Sequence, residues 1–335
     1  MDPVTQLLVA YTLARAARAR VASPEMAVFL AAGIAPHLDW LWHLPAPLSQ
    51  VRAAGTATQS LLGAFVLAAL VAAAVWMATR GRAGAAPPAR LIGAAAAAAS
   101  AHILLDLCST TGIELYWPFH RARISWNLVE GFDVILLAIL GLCALLPVLV
   151  GLVTEEIGGT RDSRPLRAWP LAALALALLY LGARTMLHQR AEELVATALY
   201  QEKAARHWAA YPAGSNPLAW RGVAETDAFL AEVDVPLGPG AQFAPEHAAL
   251  HYKPEPSPEE QAAAAAPLAR AYVALARFPS LTLTASAEGG TQAQLRELGE
   301  SALQSRRGGW LAVIELDPQS KVVRQELYYD AARVP

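Results

Sequence analysis

Long apolar segments fill the first 187 residues, and this pattern limits the possible folds more than any other feature of the chain. A helix needs about 20 mostly apolar residues to cross a bilayer, and only 16% of all residues are charged, against roughly 25% in soluble domains. Six segments are candidates: residues 4–20, 25–43, 59–79, 88–108, 128–153 and 168–187. We therefore expect a mainly α, polytopic transmembrane bundle of five to six helices.

Two of the six segments differ from the others. Segment 4–20 is short and rich in arginine at its end, so we expect it to be partly buried in the bundle. Segment 88–108 is rich in alanine. Small side chains let helix backbones approach closely in membranes, which predicts that this segment packs inside the bundle.

Arginines indicate the orientation of the chain in the membrane. They cluster after the first segment, between the third and fourth, and between the fifth and sixth: Arg15, Arg18 and Arg20; Arg80, Arg82 and Arg90; Arg161, Arg164 and Arg167. With six spans all three clusters lie on one side, which the positive-inside rule makes cytoplasmic. The sequence thus predicts an integral membrane protein with its C-terminal domain outside the cytoplasm.

The composition changes near residue 188. All lysines and most acidic residues follow it, as a domain in contact with water requires. We expect a transmembrane domain over 1–187 and a small extramembrane α+β domain over 188–335. Residues 188–212 and 256–278 have helical patterns, whereas 280–287, 308–316 and 321–329 have strand patterns. The DPQS sequence at 317–320 predicts a hairpin between the last two. The net charge of −2 indicates no nucleic-acid partner.

Two His–Asp pairs end apolar segments and are the main candidates for a functional site. His102 and Asp106 are four residues apart, so on a helix they share one face. The second pair is His37 and Asp39. Imidazoles and carboxylates are costly inside a membrane and usually mark a functional site or a polar partner there.

Several other polar residues fall at the same predicted depth as these pairs. A single polar pocket near the outer interface would contain all of them, and imidazole with carboxylate is a ligand set suited to zinc. The accompanying residues are Gln6, Gln59, Glu130 and Asp133. The structural alternative is that Asp39 and Asp106 are ordinary helix-end residues in the headgroup region.

Other His and Cys residues are better explained without a functional site. His43 and His120 lie beside aromatic residues typical of a membrane interface. Cys108 and Cys143 lie in or beside apolar segments and form no CxxC motif, so we interpret them as small core residues.

The order of these motifs resembles the membrane-bound metal-dependent hydrolases, the YdjM-like inner-membrane proteins. The resemblance covers roughly residues 1–150, and the stretch 216–226 also resembles the outer domain of longer members. It rests on Pro36-His37-Leu38-Asp39, on Ala54 to Ser60, on the intact His102-x-x-x-Asp106, on Thr110-Thr111-Gly112 and on Trp117-Pro118-Phe119. It implies a metal site, with zinc as the expected cofactor.

The chain departs from the family pattern at four positions. Gln6, Ala54 and Gln59 stand where the family has histidines, and His37 stands where it has an aspartate. Asp39, His102 and Asp106 therefore remain as metal ligands implied by the resemblance. His37 is a possible substitute ligand or proton carrier, and Asp133 is an acceptor near the site, so these two are the catalytic candidates.

Two functions remain open after the sequence analysis. The first is a membrane hydrolase that cleaves a phosphoester, such as a lipid-derived one, through one zinc ion. The second is a catalytically degenerate member that acts as a scaffold or binding protein through its C-terminal domain. The lost histidines favour the second function, and the intact His102–Asp106 pair favours the first.

Overall fold

A computed structural model describes residues 1–42, 57–82, 85–156, 168–286, 289–300, 304–305, 308–329 and 332–333. Predictions for His43, Ala54 and the arginine cluster at 161–167 lie outside these residues. The side chains of Asp39 and Cys143 are also outside the description. The chain divides into two compact units, with a boundary between Thr185 and Met186.

Helices form the first unit in the part of the chain that is described. They are α1 (Pro3–Ala16), α2 (Pro24–Ile34), a 3₁₀ segment (Ala35–Trp42), α3 (Leu61–Thr79), α4 (Pro88–Cys108), α5 (Val134–Glu156) and α6 (Ala168–Thr197), which continues into the second unit. Local sequence explains where several begin. Asp2, Ser23 and Ser60 each accept a backbone N–H bond at a helix N-terminus, which satisfies donors that have no partner within the helix.

Three of the described helices are long and apolar enough to cross a membrane: α3, α4 and α6. Helices α1 and α2 have 14 and 11 residues, which gives lengths of about 21 and 16 Å. Both are shorter than the roughly 30 Å hydrocarbon layer. Several helices in a membrane-type bundle are therefore present, but the expected set of six full spans is only partly confirmed.

Small side chains hold α4 inside the bundle, as its alanine content predicts. In its most apolar window 61% of the residues are buried, against 17% in the windows of α3 and α6. The buried face of α3 is a row of alanines four residues apart: Ala64, Ala68 and Ala72. They belong to the same core as four alanines of α4: Ala94, Ala95, Ala98 and Ala99. This spacing places one residue per turn on one face.

Antiparallel sheets and short helices form the second unit. One sheet has the order β3-β4-β5-β6, and the other has the order β12-β11-β10-β8-β7, with β9 paired to β10. The strands are β1 (Leu199–Tyr200), β2 (Lys203–Ala204), β3 (His207–Pro212), β4 (Ala219–Glu225), β5 (Phe229–Pro236), β6 (Ala249–Tyr252), β7 (Pro279–Ala285), β8 (Thr291–Glu297), β9 (Gln304–Ser305), β10 (Gly308–Leu316), β11 (Val322–Tyr329) and β12 (Ala332–Arg333). Helices α7 (Pro258–Ala265) and α8 (Pro267–Val273) contribute to the core of the larger sheet.

The structure confirms one local prediction in this unit and corrects two. Strands β10 and β11 pair as the predicted antiparallel hairpin. The helix expected over 188–212 ends at Thr197, and strands follow it. The helix expected over 256–278 is split at Ala266, which has an extended ψ of 139°, because a residue before proline is disfavoured in the helical conformation and Pro267 follows.

Candidate functional site

The His102–Asp106 pair lies in the last two turns of α4, on the face directed into the bundle. Both residues are 1% exposed. His102 Nε2 and Asp106 Oδ2 are 3.1 Å apart. The two atoms form an ion pair when His102 is protonated, and neither has another hydrogen-bond partner within the described residues. Two buried polar atoms therefore converge at salt-bridge distance.

The other nitrogen of His102 fixes where the ring proton lies. His102 Nδ1 is 2.8 Å from the carbonyl oxygen of Gly33 in α2. A carbonyl oxygen only accepts hydrogen bonds, so Nδ1 carries a proton and donates it. In the neutral ring Nε2 then has a lone pair directed towards Asp106. Metal-binding histidines commonly have this arrangement, with the second ring nitrogen bonded to a backbone carbonyl.

The pair fits a shared zinc ion. Two ligands at about 2.0–2.1 Å from one zinc ion, at a near-tetrahedral angle, are about 3.3 Å apart. The observed separation of 3.1 Å is close to this value. A lone pair and a carboxylate also repel each other at this distance unless a proton or a cation lies between them. A proton on Nε2, which would make the pair an ion pair, or a metal cation between the two atoms would remove this repulsion.

The second oxygen of Asp106 already has partners. Gln6 Nε2 donates to Asp106 Oδ1 at 3.0 Å, and the same nitrogen is 3.3 Å from the carbonyl oxygen of His102. The terminal ammonium of Met1 is 2.8 Å from the same Oδ1. Gln6, which replaces a family histidine, thus contacts Asp106 as its predicted depth suggested. Its amide orients the carboxylate.

The second predicted pair is only partly described. His37 lies in the 3₁₀ segment, and its ring centroid is 5.1 Å from that of His102. This brings the two histidines together, as the sequence predicted. The backbone of Asp39 lies in the same segment, but its side chain is outside the description. Its role as a ligand stays a prediction.

Asp133 has structural bonds at both oxygens. Its Oδ1 accepts from the backbone N–H of Leu136 at the start of α5, and its Oδ2 accepts from the Tyr180 hydroxyl at 2.7 Å. These bonds join α5 to α6. Its predicted catalytic role stays a prediction, as does a contact between Gln59 and the His102–Asp106 pair. Gln59 is half-buried in the turn before α3, and Glu130 is half-buried in the loop before α5.

No group of three or more His, Cys, Asp or Glu side chains forms a complete metal site among the residues that the structure describes. The side chain of Asp39 lies outside the described residues. His102 and Asp106 would supply two ligands, and a catalytic zinc site typically has three from the protein. Asp39 and His37 remain the candidates for completing the set.

Sequence reasoning missed Gly33, because the contact uses its backbone. A Cβ atom at position 33 would lie 2.7 Å from Ala10 Cβ, so glycine lets α2 approach α1 closely. The signal available in the sequence was a lone glycine inside an apolar helix, four residues before His37. Such a glycine often marks a close approach of two backbones.

A buried carboxylate in the second unit was also missed. Glu297 accepts backbone N–H bonds from Arg277, Phe278 and Gly299, at 2.6, 2.9 and 2.8 Å. Burial raises the pKa of its carboxyl group, and the three N–H donors oppose that shift. Because its bonds tie neighbouring segments together, we interpret Glu297 as a structural residue.

Comparison with known proteins gives one match. The family model of the YdjM inner membrane proteins matches residues 1–191, which include the whole His102–Asp106 region. No curated protein and no solved structure matches the chain. The family match covers more than half of the 335 residues. On this basis, the chain belongs to the YdjM inner membrane protein family.

Proposed function

We propose that this membrane protein binds one zinc ion through His102 and Asp106 and hydrolyses a phosphoester, such as a lipid-derived one, at the membrane interface. The observation that carries the proposal is the convergence of two buried atoms, His102 Nε2 and Asp106 Oδ2, at 3.1 Å, with no further hydrogen-bond partner for either atom within the described residues. Asp39 is proposed as the third ligand. A zinc ion held in this way lowers the pKa of a bound water to about 7.

The residues of the chain have distinct roles in this proposal. The Gly33 carbonyl holds His102 in the tautomer that leaves Nε2 available as a ligand. Gln6 holds Asp106 through Oδ1, so that Oδ2 stays directed towards His102. Burial of the pair excludes bulk water, which strengthens electrostatic interactions there. His37, next to the His102 ring, is the candidate proton carrier.

The second candidate is a catalytically degenerate member that acts as a scaffold or binding protein. The bond from the Gln6 amide to Asp106 Oδ1 favours it. This donor offsets part of the cost of burying the carboxylate without a metal.

Metal analysis of the full chain in detergent tests the two candidates. After incubation with zinc and removal of free ions, we expect about one zinc per wild-type chain. His102→Ala and Asp106→Asn should lose it, because each removes a ligand. His120→Ala is the matched control, since His120 is an exposed histidine in the same unit, and it should retain zinc.

Wild-type protein without zinc would overturn the hydrolase proposal. The triple variant Gln6→His, Ala54→His and Gln59→His then tests the degenerate alternative, because it restores the histidines of the family pattern. Zinc binding by this variant alone would show that catalysis was lost together with those ligands. Phosphoesterase activity that survives in Asp106→Asn would contradict a role for the pair in the reaction.

We also propose that the arginine clusters face the cytoplasm and that the second unit lies outside it. The structure supports part of this reasoning, because arginines from the first two clusters line one cavity: Arg18, Arg20, Arg82 and Arg90. These clusters therefore lie at the same end of the helices, as the positive-inside argument requires.

A further inference from the structure

A large basic cavity lies at the opposite end of α4 from the His102–Asp106 pair. Its volume is about 1220 Å³, which is larger than most small-molecule pockets. It is bordered by the turn between α1 and α2, the end of α3 and the beginning of α4. All of its walls belong to the first unit.

The charge of this cavity is strongly positive. Among the described residues, four arginines line it against one acidic residue, Glu25, and all four are exposed: Arg18, Arg20, Arg82 and Arg90. No ion pair joins these four guanidinium groups to an acidic side chain within the described residues. Arginine binds phosphate oxygens through paired N–H groups, so the cavity suits a phosphate-bearing anion.

Most of the remaining lining residues are apolar, and exposed apolar side chains lie next to them on α3 and α4. Phe29, Val75 and Ala94 line the cavity. Met77 on α3 and Ile92 on α4, within a few residues of lining positions, are 58% and 59% exposed. An occupant with both an anionic group and apolar chains would satisfy both kinds of wall, whereas a free phosphate ion would contact only the arginines.

We propose that this cavity binds the headgroup of an anionic phospholipid. The phosphate lies among the arginines, and the acyl chains leave along the exposed apolar sides of α3 and α4. Basic pockets between transmembrane helices bind anionic headgroups in this way. The site is independent of the zinc proposal, because it shares no residue with the His102–Asp106 pair.

Native mass spectrometry of the delipidated full chain tests the proposal. The probes are short-chain phosphatidylglycerol, the matching phosphatidylcholine and inorganic phosphate. We expect phosphatidylglycerol to bind more tightly than the other two. Arg20→Gln/Arg90→Gln should weaken that binding about 30-fold, because each arginine near an anionic surface contributes about 1 kcal/mol. Arg121→Gln/Arg190→Gln removes the same charge elsewhere and should change binding less than about twofold.

Three results would overturn the proposal. Equal affinity for phosphatidylcholine would mean that the negative charge is not recognised. Inorganic phosphate that binds as tightly as the lipid would assign the cavity to a soluble anion. An equal loss of phosphatidylglycerol affinity in the Arg121→Gln/Arg190→Gln control would mean that the net charge of the protein, and not the cavity, determines binding. If the double glutamine variant fails to fold, the single variants Arg20→Gln and Arg90→Gln replace it; each should weaken binding about fivefold, and unchanged lipid affinity in both would contradict binding through the arginines.

Discussion

At the scale of single residues, Gly33 links helix packing to the chemistry of the candidate site. Its missing side chain lets α2 approach α1, and its carbonyl oxygen lies 2.8 Å from His102 Nδ1. The position of this carbonyl determines which nitrogen of His102 is free to bind a cation. A change in packing at residue 33 should therefore alter metal binding although residue 33 has no ligand atom in its side chain.

Gly33→Ala should weaken both stability and zinc binding. The new Cβ atom would lie 2.7 Å from Ala10 Cβ, so the helices must separate at a cost of about 1–3 kcal/mol. Loss of the bond to His102 should weaken zinc binding by roughly 10- to 100-fold. Thermal unfolding in detergent and zinc titration measure the two effects.

Two further variants control for this prediction. Ala10→Gly in the Gly33→Ala background removes the clashing methyl group, so it should recover much of the lost zinc affinity. Gly182→Ala adds a methyl group where no atom lies within 4 Å, and it should leave zinc binding unchanged. Full zinc affinity in Gly33→Ala itself would disprove the link between the carbonyl and the site.

At the scale of elements, short local signals predicted structure well where no distant residue competes with them. The Asp317 turn between β10 and β11 is an example: the Asp317 carboxylate accepts N–H bonds from Gln319 and Lys321, at 3.0 and 2.8 Å. The prediction of a helix over 188–212 was wrong beyond Thr197, because the residues that follow form strands β1, β2 and β3. Strand β3 within it pairs with β4, and such tertiary pairing overrides local helical preference.

The same contrast applies to the candidate site. Helical spacing was sufficient to predict that His102 and Asp106 share a face. Helix depth also indicated that Gln6 lies near them. The Gly33 carbonyl and the two partners of Asp133 could not be predicted, because those contacts depend on the exact approach of neighbouring helices rather than on spacing along one helix.

Asp317→Ala should loosen the β10–β11 hairpin. The change removes Oδ1, which accepts two N–H bonds in the turn, each worth about 0.5–1.5 kcal/mol, and amide hydrogens in both strands should exchange faster. Asp317→Asn keeps a side-chain oxygen and should have a smaller effect. Hydrogen exchange with mass spectrometry measures the change. Equal exchange in the alanine variant and the wild type would mean that strand pairing alone fixes the hairpin.

At the scale of the whole molecule, the arginine clusters predict the orientation in the membrane. Ser215 is exposed in the second unit, and Gly81 is exposed in the loop after α3 with free space around it. We expect Ser215→Cys to react with an impermeant maleimide in intact spheroplasts, and Gly81→Cys to react only after lysis. The wild type gives the background of the natural cysteines. The reverse labelling pattern would invert the orientation.

The length of α4 also sets how far the polar pair is from the basic cavity. Arg90 and His102 are 12 residues apart on this helix, which is about 18 Å along its axis. Asp106 is 16 residues from Arg90, which is about 24 Å along the axis. With Arg90 at one headgroup layer, Asp106 would lie within roughly 6 Å of the far boundary of a 30 Å hydrocarbon core. A substrate of the proposed reaction would therefore present its phosphoester close to the outer interface.

If the protein hydrolyses phosphoesters, a site at this depth would favour molecules that already dissolve in the bilayer. Turnover of a long-chain phospholipid should then exceed that of p-nitrophenyl phosphate at equal phosphoester concentration, and faster turnover of the soluble ester would contradict the depth argument. The position of the pair along one alanine-rich helix would in that case discriminate between substrates by their solubility. Water-soluble metabolites would be disfavoured before any contact in the site could distinguish one ester from another.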